Sequence, residues 1–442
     1  MANRKQLRIV FSVILSDAGE TTRALEIAEG LRTFCPQDDE VEIIFLSTGS
    51  RFEQKVTSNG FKIHKCLPSL PGISFHQDLK TTKTNLIGDV ALVHELLVGE
   101  MQALEELKPD VVIHGFYPIA SLARRMIDQP ILGICYLPIP LQEDLYGTTL
   151  MKDVPDMIRP LTYLPAGLRR TIVKSIPKAL KLKAPIFQQT NILEALKEFN
   201  WKGEPVRNLF NMLKSDFTII NDFEEFYKDD ILPKNYKVVG PLYAPAKTGD
   251  EIDPNILNIF SPENKRVKIF CTLGSSGKKQ YLLEAIKALA QKANQGWSAV
   301  VLAPPSVCPI KEAIVCAENS PHIYITDSFV PAPLVNAMAD VVLCHGGQGT
   351  IQTAIASGTP LVGFAMQPEQ QINLDNVVMR NAGIRIPIHN WNVRNIQSAI
   401  TTILAEPSYQ KNINQLKISL ESTDGKKNAA LSIWEYITSN LK

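Results

Sequence analysis

The 442-residue sequence contains no run approaching the roughly 20 consecutive apolar residues that a membrane-spanning helix requires, so no such span is expected. It has no Cys-x-x-Cys pair. Its seven cysteines, at 35, 66, 135, 271, 308, 316 and 344, are odd in number and scattered, which argues against a zinc site or redox dithiol and for buried free thiols. Neither sign of charge dominates: 46 Lys plus Arg stand against 45 Asp plus Glu, so no global field recruits nucleic acid and none is expected as a partner. The apolar run from Ile9 to Leu15 follows a basic start, yet it is short and lacks a small-residue cleavage site. It reads as a first buried strand, and the expected compartment is the cytoplasm. Short-period repeats and low-complexity tracts are missing too, as is any Asp-x-Asp carboxylate pair of the kind that holds a metal on a diphosphate.

What is present is a regular alternation. "RIVFSVIL", "VEIIFLST", "PDVVIHGF" and "PILGICYL" are short apolar runs separated by helix-like segments such as "TTRALEIAEGLRTF" and "SLARRMI". The theme returns with "KRVKIFCTLG", "WSAVVLAP", "HIYITDSF", "ADVVLCHGG" and "TPLVGFA". Strands alternating with helices predict α/β architecture with parallel sheets, here two Rossmann-like domains. The expected partition is an N-terminal domain over 1–243, a linker at 244–250 rich in charge after a Pro-Gly approach, and a C-terminal domain over 251–442. Residues 142–215 break the alternation as a mostly helical insertion. Within it, 157–193 carries Arg159, Arg169, Arg170, Lys174, Lys178, Lys181 and Lys183 and no acidic residue. Interleaved apolar residues give this stretch the pattern of a basic amphipathic surface helix with a weak attraction for anionic membrane. Pro177 interrupts that pattern, and a helix simply packed on its own domain is the competing expectation.

The stretch "VLCHGGQGTIQTAIASGTP", 342–360, concentrates chemistry. It reads as a buried strand, a glycine turn and a helix with Ile351, Ala354 and Ile355 on one face, closed by Gly358. Glycine allows close backbone approach, and the free N–H groups of a helix start favour anions, so the stretch reads as a phosphate seat, with a Rossmann turn that holds no ligand as the competing expectation. His345 offers a hydrogen bond to a phosphate oxygen and Thr350 a hydroxyl. On the following loop, "QPEQQIN" supplies Glu369, Gln370 and Asn373, a carboxylate and amides suited to sugar hydroxyls.

From His345 through Gly347, Thr350, Gly358 and Pro360 to Glu369, Gln370 and Asn373, this region resembles the donor-binding signature of the inverting, nucleotide-sugar-dependent glycosyltransferases of the GT-B fold, the UDP-glycosyltransferase superfamily. Weaker echoes lie in "FCTLGSS", "DSFVPAPLV", "VVGPLY" and "SDAGETTRALEIAEGL". The resemblance implies two Rossmann-like domains facing a central cleft. It assigns the diphosphate to His345, Gly347, Gly349 and Thr350, the same pocket's wall to Ser275, the nucleobase to the backbone near Val330, which Phe329 precedes, and the sugar hydroxyls to Glu369 and Gln370. It also implies a metal-independent hexosyltransferase with no cofactor, in which a nucleotide sugar, UDP-hexose above a dTDP-deoxysugar, serves as co-substrate. The acceptor is a hydroxyl compound that the sequence does not specify, the resemblance placing its recognition in the first domain.

At the general base this chain departs from the family. The usual first-loop His is Glu20 here, and the position of its supporting Asp is His114. A carboxylate next to an imidazole makes an acid–base pair whichever strand supplies each, so a Glu20–His114 dyad is expected, with Asp17 next in line. A solvated first-turn acid and a satisfied strand-end histidine are the structural counterparts of that expectation. Two other classes fit the pattern less well: a GT-B nucleotide-sugar epimerase, and a catalytically silent partner of a synthase.

Overall fold

Each apolar run singled out above becomes a parallel strand in the computed structural model, which describes all residues except 1–6, 36–40, 157, 200, 202, 244–250, 275–276, 329 and 442. The chain divides into two units, one of Met1–Thr149, Ile176–Ala244 and Asp424–Lys442, the other of Leu150–Ser175 and Pro245–Thr423.

In the first unit, β1 (Leu7–Ser12), β2 (Val41–Ser47), β3 (Lys62–Lys65), β4 (Val111–His114), β5 (Leu132–Leu137), β6 (Phe217–Ile220) and β7 (Tyr236–Val238) form one parallel sheet in the order β3-β2-β1-β4-β5-β6-β7. Strand order reverses between β1 and β4, with Ser12 in register with Leu46 on one side and His114 on the other. Ile9, Val10 and Phe11 are wholly buried because helices cover both faces. α1 (Ala18–Phe34) and the C-terminal helix Gly425–Asn440 share one core with Phe11 and Phe45. On the other face α2 (Val90–Leu107) and α3 (Pro118–Met126) pack Leu96, Leu97 and Ile119 against Val10 and Val112.

The second unit opens with α4 (Arg159–Thr162) and α5 (Ala166–Ser175). Its sheet contains β8 (Val267–Thr272), β9 (Trp297–Leu302), β10 (Ile323–Thr326), β11 (Val341–Cys344), β12 (Leu361–Gly363) and β13 (Gly383–Arg385), all parallel, in the order β10-β9-β8-β11-β12-β13. α6 (Gln348–Ser357) follows β11 and ends at Gly358 in the left-handed conformation, and α7 (Pro368–Met379) follows β12.

This division differs from the expected one at two places. The C-terminal helix groups with the first unit, and 150–175 with the second. The cause in the second case is a set of ion pairs. Arg385, on β13, is buried between Asp375 at 2.7 Å, Asp153 at 2.9 Å and Asp156, while Arg169 also pairs with Asp153 at 2.7 Å. Gln371 donates to the backbone carbonyls of Asp153 and Val154, and Thr162 meets His389 at 2.6 Å. The expected linker, 244–250, lies outside the described residues.

Nor is 157–193 one helix. Pro160, Pro165, Pro177 and Pro185 each stand at or beside a helix start and cut the stretch into Arg159–Thr162, Ala166–Ser175, Lys178–Lys181 and Pro185–Gln188. Two of its cations form ion pairs, Arg169 with Asp153 and Lys178 with Asp144, and Lys181 is buried. All seven cysteines are free, six of them buried. Among the described residues, no helix is long and apolar enough to cross a membrane.

Candidate functional site

In the second unit the candidate residues gather where β8 and β11 end. The His345 side chain sits just past β11, buried, with its Nδ1 lacking any hydrogen-bond partner. Two glycines flank its ring. A Cβ on Gly274, whose φ is +58°, would stand 2.8 Å from His345 Cε1, and one on Gly347 would stand 2.7 Å from both Cε1 and Nε2. The bare backbone of the glycine turn is thus explained first by the imidazole it sandwiches. Burial pushes the His345 pKa down to about 4, so the ring is neutral near pH 7 and carries one N–H.

Gly347 is also the N-cap of α6, and no side chain caps that end. The cap residue therefore offers no side chain to the first N–H groups of the helix, and the positive end of the helix dipole stands beside His345. Gly349 is exposed, and a Cβ there would meet nothing within 4 Å, so packing does not demand glycine at that position. Thr350 lies half-buried on the same turn. Ser275 and Phe329 fall outside the described residues. The Val330 side chain is buried in a core cluster with Ile256, Phe260 and Phe270.

The loop and helix after β12 are held from within. Gln370 accepts the Met366 N–H at 2.9 Å, fixing the turn into α7. Asn373 donates both to Glu369 and, at 3.1 Å, to the Gly346 carbonyl, tying the half-buried Glu369 carboxylate to the glycine turn. His345, Gly347, Gly349, Thr350, Glu369 and Gln370 therefore belong to one neighbourhood in one unit.

The first unit separates the two residues expected to pair. His114, at the end of β4, is wholly buried; its Nε2 meets Ser215 Oγ at 2.7 Å and its Nδ1 the Gly115 carbonyl at 2.9 Å. A carbonyl only accepts, so Nδ1 carries the proton and Nε2 accepts from the serine. Burial pushes this histidine down to about 4. The expected Glu20–His114 dyad does not form, because both ring nitrogens are already occupied. Glu20 sits on the first turn of α1, its N–H capped by Asp17 at 2.7 Å. Its Oε1 takes Arg23 at 2.8 Å and the Phe116 N–H at 3.4 Å, while Oε2 is buried without a partner. Only glycine fits at 115, where a Cβ would collide with Oε2 and with the Tyr136 ring. Burial works against the Arg23 charge, but Glu20 and Asp17 outweigh it and raise its pKa.

Sequence reasoning missed the Arg385 cluster and one further group, Glu100. The second left a signal: Val93, Leu96, Leu97, Glu100, Ala103 and Leu104 share one buried face of α2, so a carboxylate stands in an apolar stripe.

Two doubly wound parallel sheets, one with a glycine turn and an uncapped helix start around a buried imidazole, define a protein of the GT-B class. Comparisons agree. Residues 318–425 match the family model described as "Erythromycin biosynthesis protein CIII-like, C-terminal domain". A PGL/p-HBAD biosynthesis glycosyltransferase of Mycobacterium tuberculosis is 26% identical over 349 residues, covering 76% of this chain and 73% of that one. A PGL/p-HBAD biosynthesis rhamnosyltransferase of Mycobacterium bovis is 20% identical across 92% of this chain and 83% of its own. Among solved structures, the calicheamicin glycosyltransferase CalG4 superposes with a TM-score of 0.67 at 16% identity, covering 99% of both chains. The spinosyn rhamnosyltransferase SpnG in complex with thymidine diphosphate does so with a TM-score of 0.55 at 14% identity, over 97% of this chain and 100% of that one. The chain has the GT-B fold, and the relatives it matches over most of its length are glycosyltransferases.

Proposed function

We propose that this glycosyltransferase works in the cytoplasm, moving a hexose from its UDP donor to the hydroxyl of a small-molecule or lipid acceptor, with inversion and without a metal. The observation that carries the donor side is His345: a neutral, buried imidazole with an unpartnered nitrogen, wedged between Gly274 and Gly347 beside an uncapped helix start. As the bond from the anomeric carbon to the diphosphate breaks, negative charge grows on the leaving group. The His345 N–H and the first N–H groups of α6 are preorganised for that charge. Thr350 and Gly349 border the same turn, Ser275 completes it by resemblance, and Glu369 and Gln370 take the sugar hydroxyls, with the base against the backbone near Val330.

The acceptor oxygen forms the new bond to the anomeric carbon from the opposite side as the diphosphate departs, and its proton must go to a base. Glu20 is our choice, because its Oε2 is a buried acceptor with no partner. His114 holds its surroundings in place. Glu369 stands where the superfamily more often has Asp, which leaves the hexose to experiment.

Incubation with UDP-glucose, UDP-galactose or dTDP-rhamnose, a panel of phenols and alcohols, and excess EDTA tests this by mass spectrometry. Transfer or slow hydrolysis of a UDP-hexose in EDTA is expected. Use of dTDP-rhamnose alone would replace the donor assignment, epimerised donor would indicate the epimerase, and rate loss restored by magnesium would remove metal independence.

A further inference from the structure

At the carboxyl end of β1, where the strand order of the first sheet reverses, lies a second built site. Ser12 ends β1, Tyr117 caps α3 just after β4, and Glu100 reaches across from α2. All three are more than nine-tenths buried, and Ser12 Oγ, Glu100 Oε1 and Tyr117 Oη each lack a hydrogen-bond partner. They line one cavity of about 10 Å³, which is room for a single oxygen-sized group. Its remaining walls include Val13, Ile14, Leu46, Ser47, Thr48 and Cys66.

The placement is enforced. Gly99 lets α2 press against the Leu67 backbone, where any Cβ would collide, and the next residue, Glu100, is thereby carried under the ends of β1 and β2. Burial pushes its carboxyl up to about 7, with the Ser12 hydroxyl facing it and favouring the ionised form without a hydrogen bond of ordinary geometry. Three converging oxygens buried unpaired are costly, and open α/β sheets bind ligands outside the strand ends at such a reversal.

We propose that this pocket binds one hydroxyl of an acceptor built on an apolar framework, an alcohol or phenol, with Glu100, Ser12 and Tyr117 as its hydrogen-bond partners. A hydroxyl both donates and accepts, as do a tyrosine, a serine and a carboxyl group that exchanges its proton near neutral pH. With room for one oxygen, the pocket takes the hydroxyl and leaves the carbon skeleton outside it. Only the word acceptor rests on the transfer reading above.

Phenol is the probe, titrated by calorimetry and ligand-observed NMR against the full chain, with anisole and ethylammonium as comparators. Phenol should bind, and anisole, which lacks the donor proton, should not. Glu100→Leu and Tyr117→Phe should each weaken phenol by roughly three- to tenfold, the worth of one hydrogen bond. Glu100→Gln, which keeps a donor and an acceptor, should stay close to wild type. No phenol binding at millimolar concentration, equal binding of anisole, tighter binding of ethylammonium, or unchanged affinity in both Glu100→Leu and Tyr117→Phe overturns the proposal. If Glu100→Leu fails to fold, Tyr117→Phe decides alone. UDP titrated into the same samples separates the two readings, since lost UDP binding in the wild type would sink the donor site and leave the phenol result standing.

Discussion

A neutral imidazole that donates one hydrogen bond to a diphosphate makes a sharp demand of two residues. Removing a hydrogen bond to a charged group costs about 1.5 to 3 kcal/mol, so His345→Ala should weaken UDP binding by one to two decades in calorimetry. Gly347→Ala should weaken it too, with His345 still present, because the new Cβ would meet the ring at 2.7 Å and displace it. In the first unit the two residues first expected to act as a pair should part company. Glu20→Gln should slow transfer by roughly 10² or more while UDP affinity holds, the usual worth of a general base. His114→Ala should lower stability instead, since it removes the buried bond to Ser215 Oγ and opens a cavity in a fully buried position. Stopped-assay rates beside thermal melts of the two variants make the comparison. A rate loss in His114→Ala as large as that in Glu20→Gln, at unchanged melting temperature, would restore the dyad.

At the level of elements, the segment 150–175 depends on the Arg385 cluster. Replacing Arg385 with Met removes the cation and leaves Asp153, Asp156 and Asp375 close together and buried. The expected cost is about 3 to 5 kcal/mol, read as earlier unfolding of the second unit and faster proteolysis near 150–175. The stretch 157–193, which carries no acidic residue, exposes Tyr163 and Leu168 along with Arg159 and Lys174. With about 1 kcal/mol for each cation near an anionic surface, it should float weakly with anionic liposomes at low salt and release at high salt; a wholly unbound fraction at low salt would remove the idea. The strands and the glycine turn were legible because apolar runs, glycine and helix periodicity are local signals. The home of 150–175 was not, since Asp156 and Arg385 meet across 229 residues and Asp153 and Arg385 across 232. Prolines that start the short helices from Arg159 onward leave no periodicity to follow there. The partners of Glu20 and His114 were hidden in the same way. Chemical complementarity suggested the pair, but the positions of Ser215, Arg23 and the Gly115 backbone decided each partner.

For the molecule as a whole, pH dependence follows from buried groups that pull in opposite directions. His114, ordinarily near 6.5, is held at about 4 in the fold, burial being the main cause. The unfolded chain therefore binds the extra proton first, and stability present above about 6.5 is lost as pH falls toward 4. Glu100, ordinarily near 4.5, is raised to about 7, again mainly by burial. Its folded form holds the extra proton, so the stability it contributes is complete below about 4.5 and lost as pH rises through 7. In the first unit the two slopes oppose each other between about 4.5 and 6.5 and largely cancel. Glu100→Gln removes one of them. The variant should then lose, between pH 6.5 and 4.5, roughly 2 to 3 kcal/mol more first-unit stability than the wild type does, at 1.36 kcal/mol for each pKa unit. Hydrogen exchange of the β1 and β4 amides at the two pH values reads that unit separately from the other. Parallel pH profiles in the two proteins would mean that Glu100 is ionised throughout this range in the fold, and that the carboxyl is better solvated than its burial under β1 implies.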